Sequence, residues 1–181
     1  NLLSHLRLSS VVAALNSSQA TALSTSSLAA LETQDIVGLK SSAMAALRTV
    51  QVAALTTDQI TALSTAQVAA LSTAAFASGL TTDQAVALSS AQLNALSTAQ
   101  IRALSTNSVQ ALETADIAAL QTSSMSALST AQFSRLTTDQ IVAMTTNQFA
   151  SITTQQVHAL TSAQVAAMST AQVNALKTFT P

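Results

Sequence analysis

The tightest constraint on this chain is a period of eight residues that runs through almost all of it. Its plainest copy is Leu63-Ser64-Thr65-Ala66-Gln67-Val68-Ala69-Ala70. With the Leu as phase 0, units begin at Leu15, Leu23, Leu31, Leu39, Leu47, Leu55, Leu63 and Leu71. The series slips by one residue at Gly79, resumes at Leu80 and continues every eighth residue to Leu176, with Met144, Ile152 and Met168 standing in for Leu. A repeat this regular overrides the expectation of one globular core for 181 residues, because arrays grow by adding units.

Each phase has its own chemistry. Phase 5 is apolar, as in Leu28, Ile36, Met44, Val52, Ile60, Val68 and Phe76, with Ala20 and Ala85 as small exceptions. Phase 7 is nearly always Ala; Gly38, Ser78, Arg135 and Ser151 depart from this. Phase 2 is Ser or Thr in every unit, from Ser17 to Thr178, and phase 4 is usually Gln. Phases 1, 3 and 6 vary and accept polar groups.

A continuous α-helix turns about 100° per residue, so a stripe recurring every eight residues would wind around it and never make one face. A β-strand needs period two, whereas phases 0, 5 and 7 mix parity. A β-solenoid would want Gly, Asn or Asp at its corners, and only two glycines exist. A short helix in every unit satisfies the pattern. Phase 5 and the next phase 0 are then three residues apart on one face, with the small phase-7 residue beside them.

The break between helices falls at phases 1 and 2, where Ser or Thr can accept from the free N–H groups of a first turn. Two registers compete. A cap at phase 1 puts Gln at N3 and makes a capping box. A cap at phase 2 accounts for the unbroken Ser/Thr rule there, and phase 1 carries Glu32, Lys40, Arg48, Glu113, Gln121 and Lys177. The expectation is therefore a cap at phase 2. The acids agree with a first turn in this region: Asp58, Asp83 and Asp139 lie at phase 3 and Asp35 and Asp116 at phase 4, where negative charge complements the helix dipole. The Gly that commonly ends a helix is missing, so each helix must end some other way.

One unit cannot fold alone. Two large apolar side chains contribute roughly 1.5–3 kcal/mol each when buried, while ordering the backbone costs about 1–2 kcal/mol per residue. The fold class expected is all-α, a solenoid of very short helices, one per unit. Three units per coil and a triangular cross-section are the expected geometry. Residues 1–14 fit the period poorly and read as an N-terminal cap or degenerate repeat; residues 15–181 form the octapeptide-repeat solenoid, one domain overall. The chain opens at Asn1 without Met or a charged-then-apolar leader and breaks off inside a unit at Pro181, as expected of a fragment or mature form.

A longer repeat overlies the short one. The stretch Leu31 to Met44 recurs as Leu112 to Met125, an offset of ten units plus Gly79, and Leu55-Thr-Thr-Asp-Gln-Ile60 recurs in step as Leu136-Thr-Thr-Asp-Gln-Ile141. Block duplication explains this; a binding surface presented twice is the functional alternative.

Composition limits function. Charged residues make up 7% and the net charge is −1, which leaves no basic excess to hold a phosphate backbone, so no nucleic-acid partner is expected. Cysteine is absent, which excludes disulfides and thiolate metal sites. The longest apolar runs are near five residues against the ~20 of a membrane helix, so no membrane insertion is expected.

No catalytic, cofactor-binding or metal-binding residues emerge, and no cofactor is implied. His5 and His158 are isolated, and no His and carboxylate flank a Ser or Thr in a nucleophilic arrangement. Phe76, Phe133 and Phe149 read as core, with Phe179 in the tail. Arg135, where Ala is the rule, reads as a side chain that snorkels to solvent or marks a contact site.

The unit Leu-Ser/Thr-Thr-x-Gln-Val/Ile-x-Ala resembles repeat tracts in very large bacterial secreted or surface proteins of the adhesin-like kind. That resemblance implies an extracellular or cell-surface stalk or spacer exported without disulfides. The motif Leu-Thr-x-x-Gln-Ile/Val-x-Ala-Leu is also similar to the start of repeats in bacterial DNA-binding effectors of the TAL type. Here the unit closes after eight residues and the net charge is negative, so DNA binding does not carry over. The function expected is a rigid rod or spacer without catalytic activity. The alternatives are an interaction module, self-associating through open solenoid ends, and an ice-binding array of Thr hydroxyls at phases 1 and 2.

Overall fold

A computed structural model describes residues 10–176. His5, Lys177, Thr178, Phe179, Pro181 and the first nine residues of the expected cap lie outside them. Residues 10–14 form a helical turn, with Val12 buried. From there each octad folds as one short helix of four to seven residues, and the described residues contain no strand.

The helices fall into three columns, because each packs on the third one before and after it. The first column holds Ser17–Ala22, Ser41–Ala46, Thr65–Ala70, Ser90–Asn94, Thr114–Ala119, Thr138–Ala143 and Ser162–Ala167. The second holds Thr25–Ala29, Thr49–Ala53, the π-turn Ala75–Gly79, Thr98–Ala103, Thr122–Ala127, Thr146–Ser151 and Thr170–Leu176. The third holds Thr33–Ile36, Thr57–Ala62, Thr82–Val86, Thr106–Ala111, Thr130–Ser134 and Thr154–His158. Three octads therefore complete one coil, and the section is triangular.

The core is one continuous cluster along the middle. Phase 5 supplies side chains with no exposure at all, such as Ile60, Leu93, Phe133, Ile141 and Phe149. The phase-0 residues from Leu39 to Ile152 are buried, while Leu15, Leu23 and Leu31 at one end and Leu160, Met168 and Leu176 at the other are only partly so. Burial therefore depends on having a coil both above and below, as expected when single units cannot bury their own apolar face.

The cap is at phase 1, which corrects the sequence expectation of phase 2. Ser64 is extended, φ −68° and ψ 157°, and the Ser64 hydroxyl accepts from the Gln67 backbone N–H at 3.2 Å. Thr65 is the first helical residue. The Ser64 N–H in turn donates to Gln67 Oε1 at 2.9 Å, which completes the capping box. The same reciprocal pair recurs from Thr56 with Gln59 to Thr161 with Gln164. Asp35, Asp58, Asp83, Asp116 and Asp139 all lie in first turns, as the helix dipole favours, with the cap one residue before phase 2.

Helices end without glycine by turning the next phase-0 residue extended, as at Leu71 with φ −59° and ψ 143°. No described residue has positive φ. Gly79 is absorbed as a π-turn, the Leu80 N–H donating to the Ala75 carbonyl five residues back at 2.6 Å. The extra residue is thus swallowed inside one helix and the columns stay in step.

Candidate functional site

The most elaborate chemistry sits at the corners, where one helix passes to the next, and it is carried by the phase-4 Gln. In the sequence this residue reads only as half of an optional box. In the structure it is buried: Gln51, Gln59, Gln67, Gln84, Gln140 and Gln156 are at most 4% exposed. An amide with two donors and one carbonyl oxygen must place all of them when buried.

Both halves of the amide are used. Oε1 takes the N–H of its own cap residue. Nε2 donates down to the corner of the coil below, reaching for Gln67 the Val37 carbonyl at 3.0 Å and the Leu39 carbonyl at 2.8 Å. The geometry repeats for Gln140 to Val109 at 3.1 Å and Leu112 at 2.7 Å, and for Gln148 to Ile117 at 2.8 Å and Leu120 at 2.7 Å. One side chain therefore satisfies an orphan donor at a helix start and orphan acceptors at a helix end one coil away. At these corners the Gln supplies donors that a helix end without glycine would otherwise lack. The side-chain orientation is fixed by the network, since exchanging O and N would set donor against donor at the cap.

A signal for this was present in the sequence as a paired loss. Where phase 1 is Glu32, Lys40, Glu113 or Gln121, phase 4 is Asp35, Ala43, Asp116 or Ser124. Those helices have no side-chain cap. Arg48 is the exception: its backbone N–H still donates to Gln51 Oε1 at 2.9 Å. Apart from Arg48, a long polar or charged residue at phase 1 thus marks, among the described residues, an octad that has given up the box.

The outer surface carries the rest. Phase-2 hydroxyls such as Thr57, Thr65, Thr98 and Thr138 are exposed. Among the described residues only Ser17 and Ser90 use that hydroxyl, on the Ser42 carbonyl and the Asp116 carboxylate. Arg135 reaches outward and donates through Nη2 to Gln110 Oε1 at 3.0 Å. His158 is exposed at the last position of its helix. Phe76, Phe133 and Phe149 are buried in the core.

Two surface depressions meet at Arg102, one also lined by Thr73, Thr98 and Ala99 and the other by Ser126, Ser129, Thr130 and Thr153 among its described residues. Arg102 itself lies along the wall and points Nε at the Ala127 carbonyl at 3.4 Å. Among the described residues no three His, Cys, Asp or Glu gather as metal ligands would, and no helix is long and apolar enough to cross a membrane.

The duplicated block does not present one surface twice on one side. Ten octads are three coils plus one octad, so Thr33–Ile36 stands in the third column and its copy Thr114–Ala119 in the first.

A family model described as the ALTTAQ repeat matches residues 28–65, 85–122, 109–146 and 142–178. The chain belongs to the ALTTAQ-repeat family. No curated protein and no solved structure gave a match. The six letters of that description fall here on Ala62-Leu63-Ser64-Thr65-Ala66-Gln67, which runs from the close-packed Ala through the core Leu and the cap to the corner Gln. In structural terms these six residues span a corner of the coil, from the last residue of Thr57–Ala62 to the first turn of Thr65–Ala70.

Proposed function

We propose that this ALTTAQ-repeat chain is a structural module, a rigid rod or spacer within a larger surface or secreted protein, with no catalytic role. One observation carries the reading. The Gln that would be the best candidate for ligand recognition is buried and spends its amide on joining coil to coil. Leu and phase 5 are consumed by the core and phase 1 by capping, so the recurring chemistry builds length and stiffness.

Small-angle scattering tests this. Nearly seven coils follow from the helices at three per coil, and roughly 8–10 Å between packed helices gives a rod roughly 60 Å long. A scattering profile of a sphere or a flexible coil would overturn the proposal. Sedimentation over a range of concentrations adds the second arm. A constant monomer mass supports a spacer, and a mass that climbs with concentration supports the self-associating module instead. The surface or secreted setting rests on the resemblance to adhesin-like tracts; finding the parent protein confined to the cytosol on cell fractionation would remove it.

A second reading gains support from the cap position. The phase-2 hydroxyls are exposed and not committed to capping, so a column presents them at one-coil intervals as an ordered array. Ice binding predicts thermal hysteresis in dilute solution, and its absence would dismiss that reading.

A further inference from the structure

We propose that the coil running from Leu104 to Ala127 is a built-in joint, the place where the solenoid bends or opens first. The proposal needs only the fold; a use for the joint under load rests on the spacer reading above.

From Gln51 onward the other coils are each tied to the one beneath by at least two buried Gln side chains. The coil above this one is fully tied: Gln132 reaches the Leu104 carbonyl, Gln140 that of Leu112 and Gln148 that of Leu120, each at 2.7 Å. In the Leu104–Ala127 coil the three phase-4 residues are Ser108, Asp116 and Ser124. None donates to a corner carbonyl of the coil beneath. Ser108 instead pairs with Ser105 in its own octad at 2.8 Å. The corner carbonyls of Leu80, Leu88 and Leu96 consequently receive no side-chain donor among the described residues. A single missing Gln has no such effect at Ala75, because its sequence neighbours Gln67 and Gln84 are both in place.

What crosses the seam is of a different kind. Asn94 spans to the Ala119 carbonyl at 2.8 Å and to the Gln121 N–H at 2.9 Å, and both contacts are exposed. Arg102 makes its longer contact to Ala127, and the Ser90 hydroxyl donates to the Asp116 carboxylate. The two Asn94 links are open to water, which lowers their net contribution; the Arg102 and Ser90 links are part-buried, and neither reaches the corner carbonyl of Leu80, Leu88 or Leu96. The core itself is unbroken: Val109, Ile117 and Met125 have no exposure. Apolar contact is non-directional. A layer joined by apolar contact and a few exposed or part-buried links, without buried ties to its corner carbonyls, can tilt before it separates.

Ser108, Asp116 and Ser124 match Ser27, Asp35 and Ala43 across the block repeat, so the untied set belongs to the duplicated stretch.

Hydrogen exchange read by mass spectrometry on the full chain tests the joint. Amides of residues 80–127 should exchange about tenfold faster than those of residues 128–151, which lie in a coil tied above and below. Installing the missing ties, with Glu113→Ser, Gln121→Ser, Ser108→Gln, Asp116→Gln and Ser124→Gln together, should remove most of that difference. As a second arm, Gln132→Ser, Gln140→Ser and Gln148→Ser together should carry fast exchange up one coil. Equal exchange of the two segments in the native chain would overturn the proposal. So would a re-tied variant that keeps its native far-UV dichroism and exchanges no more slowly.

Discussion

Gln67 Nε2 donates to the Leu39 carbonyl at 2.8 Å across 28 residues of chain. The same amide closes the capping box of its own helix through Oε1. One residue type thereby joins local and long-range order: the box decides where a helix begins, and the bridge decides which corner lies under it. A repeat of eight residues can specify a stacked coil because its strongest local signal and its inter-coil contact share one side chain.

Gln140→Ala should therefore cost more than removal of one hydrogen bond. It strips the donor from the Val109 and Leu112 carbonyls and the acceptor from the Thr137 N–H. Unsatisfied buried groups cost about 1–3 kcal/mol, so a loss of roughly 2–4 kcal/mol is expected in urea titration. Ser108→Ala, at the same phase without a bridge, should lose well under half as much. Equal losses would show that the bridge contributes little.

Much of this fold was legible from Val68 and Leu71, because their three-residue spacing fits one helix face and no strand. The cap register was not, for a definable reason. Invariance at Thr65 suggests capping there, whereas the capping box is a property of a pair, and Glu32 with Asp35 or Gln121 with Ser124 lose both partners together. The bridge from Gln67 to Leu39 lies beyond any local rule, since it depends on three octads making one coil. Nothing in the structure explains why phase 2 is always Ser or Thr.

The cap register makes a separable prediction. Thr137 accepts from the Gln140 N–H at 3.1 Å, and Thr138 is the first helical residue and exposed. Thr137→Ala should destabilise by about 1 kcal/mol, as loss of an N-cap does, and Thr138→Ala should stay within about 0.5 kcal/mol. Thermal melts of the two single variants measure this, and the reverse order would restore the phase-2 register.

Adjacent residues of one helix test the inward direction of phase 5. Ile141 has no exposure and Val142 is 56% exposed. Ile141→Ala removes packed methyl groups and leaves a cavity, at about 2–5 kcal/mol. Val142→Ala should change stability by no more than about 0.5 kcal/mol. Comparable losses at both sites would mean that Val142 is covered in solution, and sedimentation would show whether a second copy covers it.

Gly79 separates two explanations for the slip in period. A Cβ added there would lie 3.0 Å from the Thr49 carbonyl oxygen and 3.2 Å from the Thr49 Cα. Both are backbone atoms of the neighbouring coil and cannot swing away. Gly79→Ala gains helix propensity of about 1 kcal/mol but must push two coils apart, and overpacking costs roughly 1–3 kcal/mol, so a net loss is expected. Deleting Gly79 should be tolerated. It leaves Ser78 at phase 7, a position Ser151 already occupies elsewhere, and turns the π-turn back into an ordinary octad. A melting temperature at or above that of the native chain for the deletion, with a lower one for Gly79→Ala, is the expected result. If the deletion is the more damaging change, the extra residue is required by the packing of the second column and is not merely accommodated.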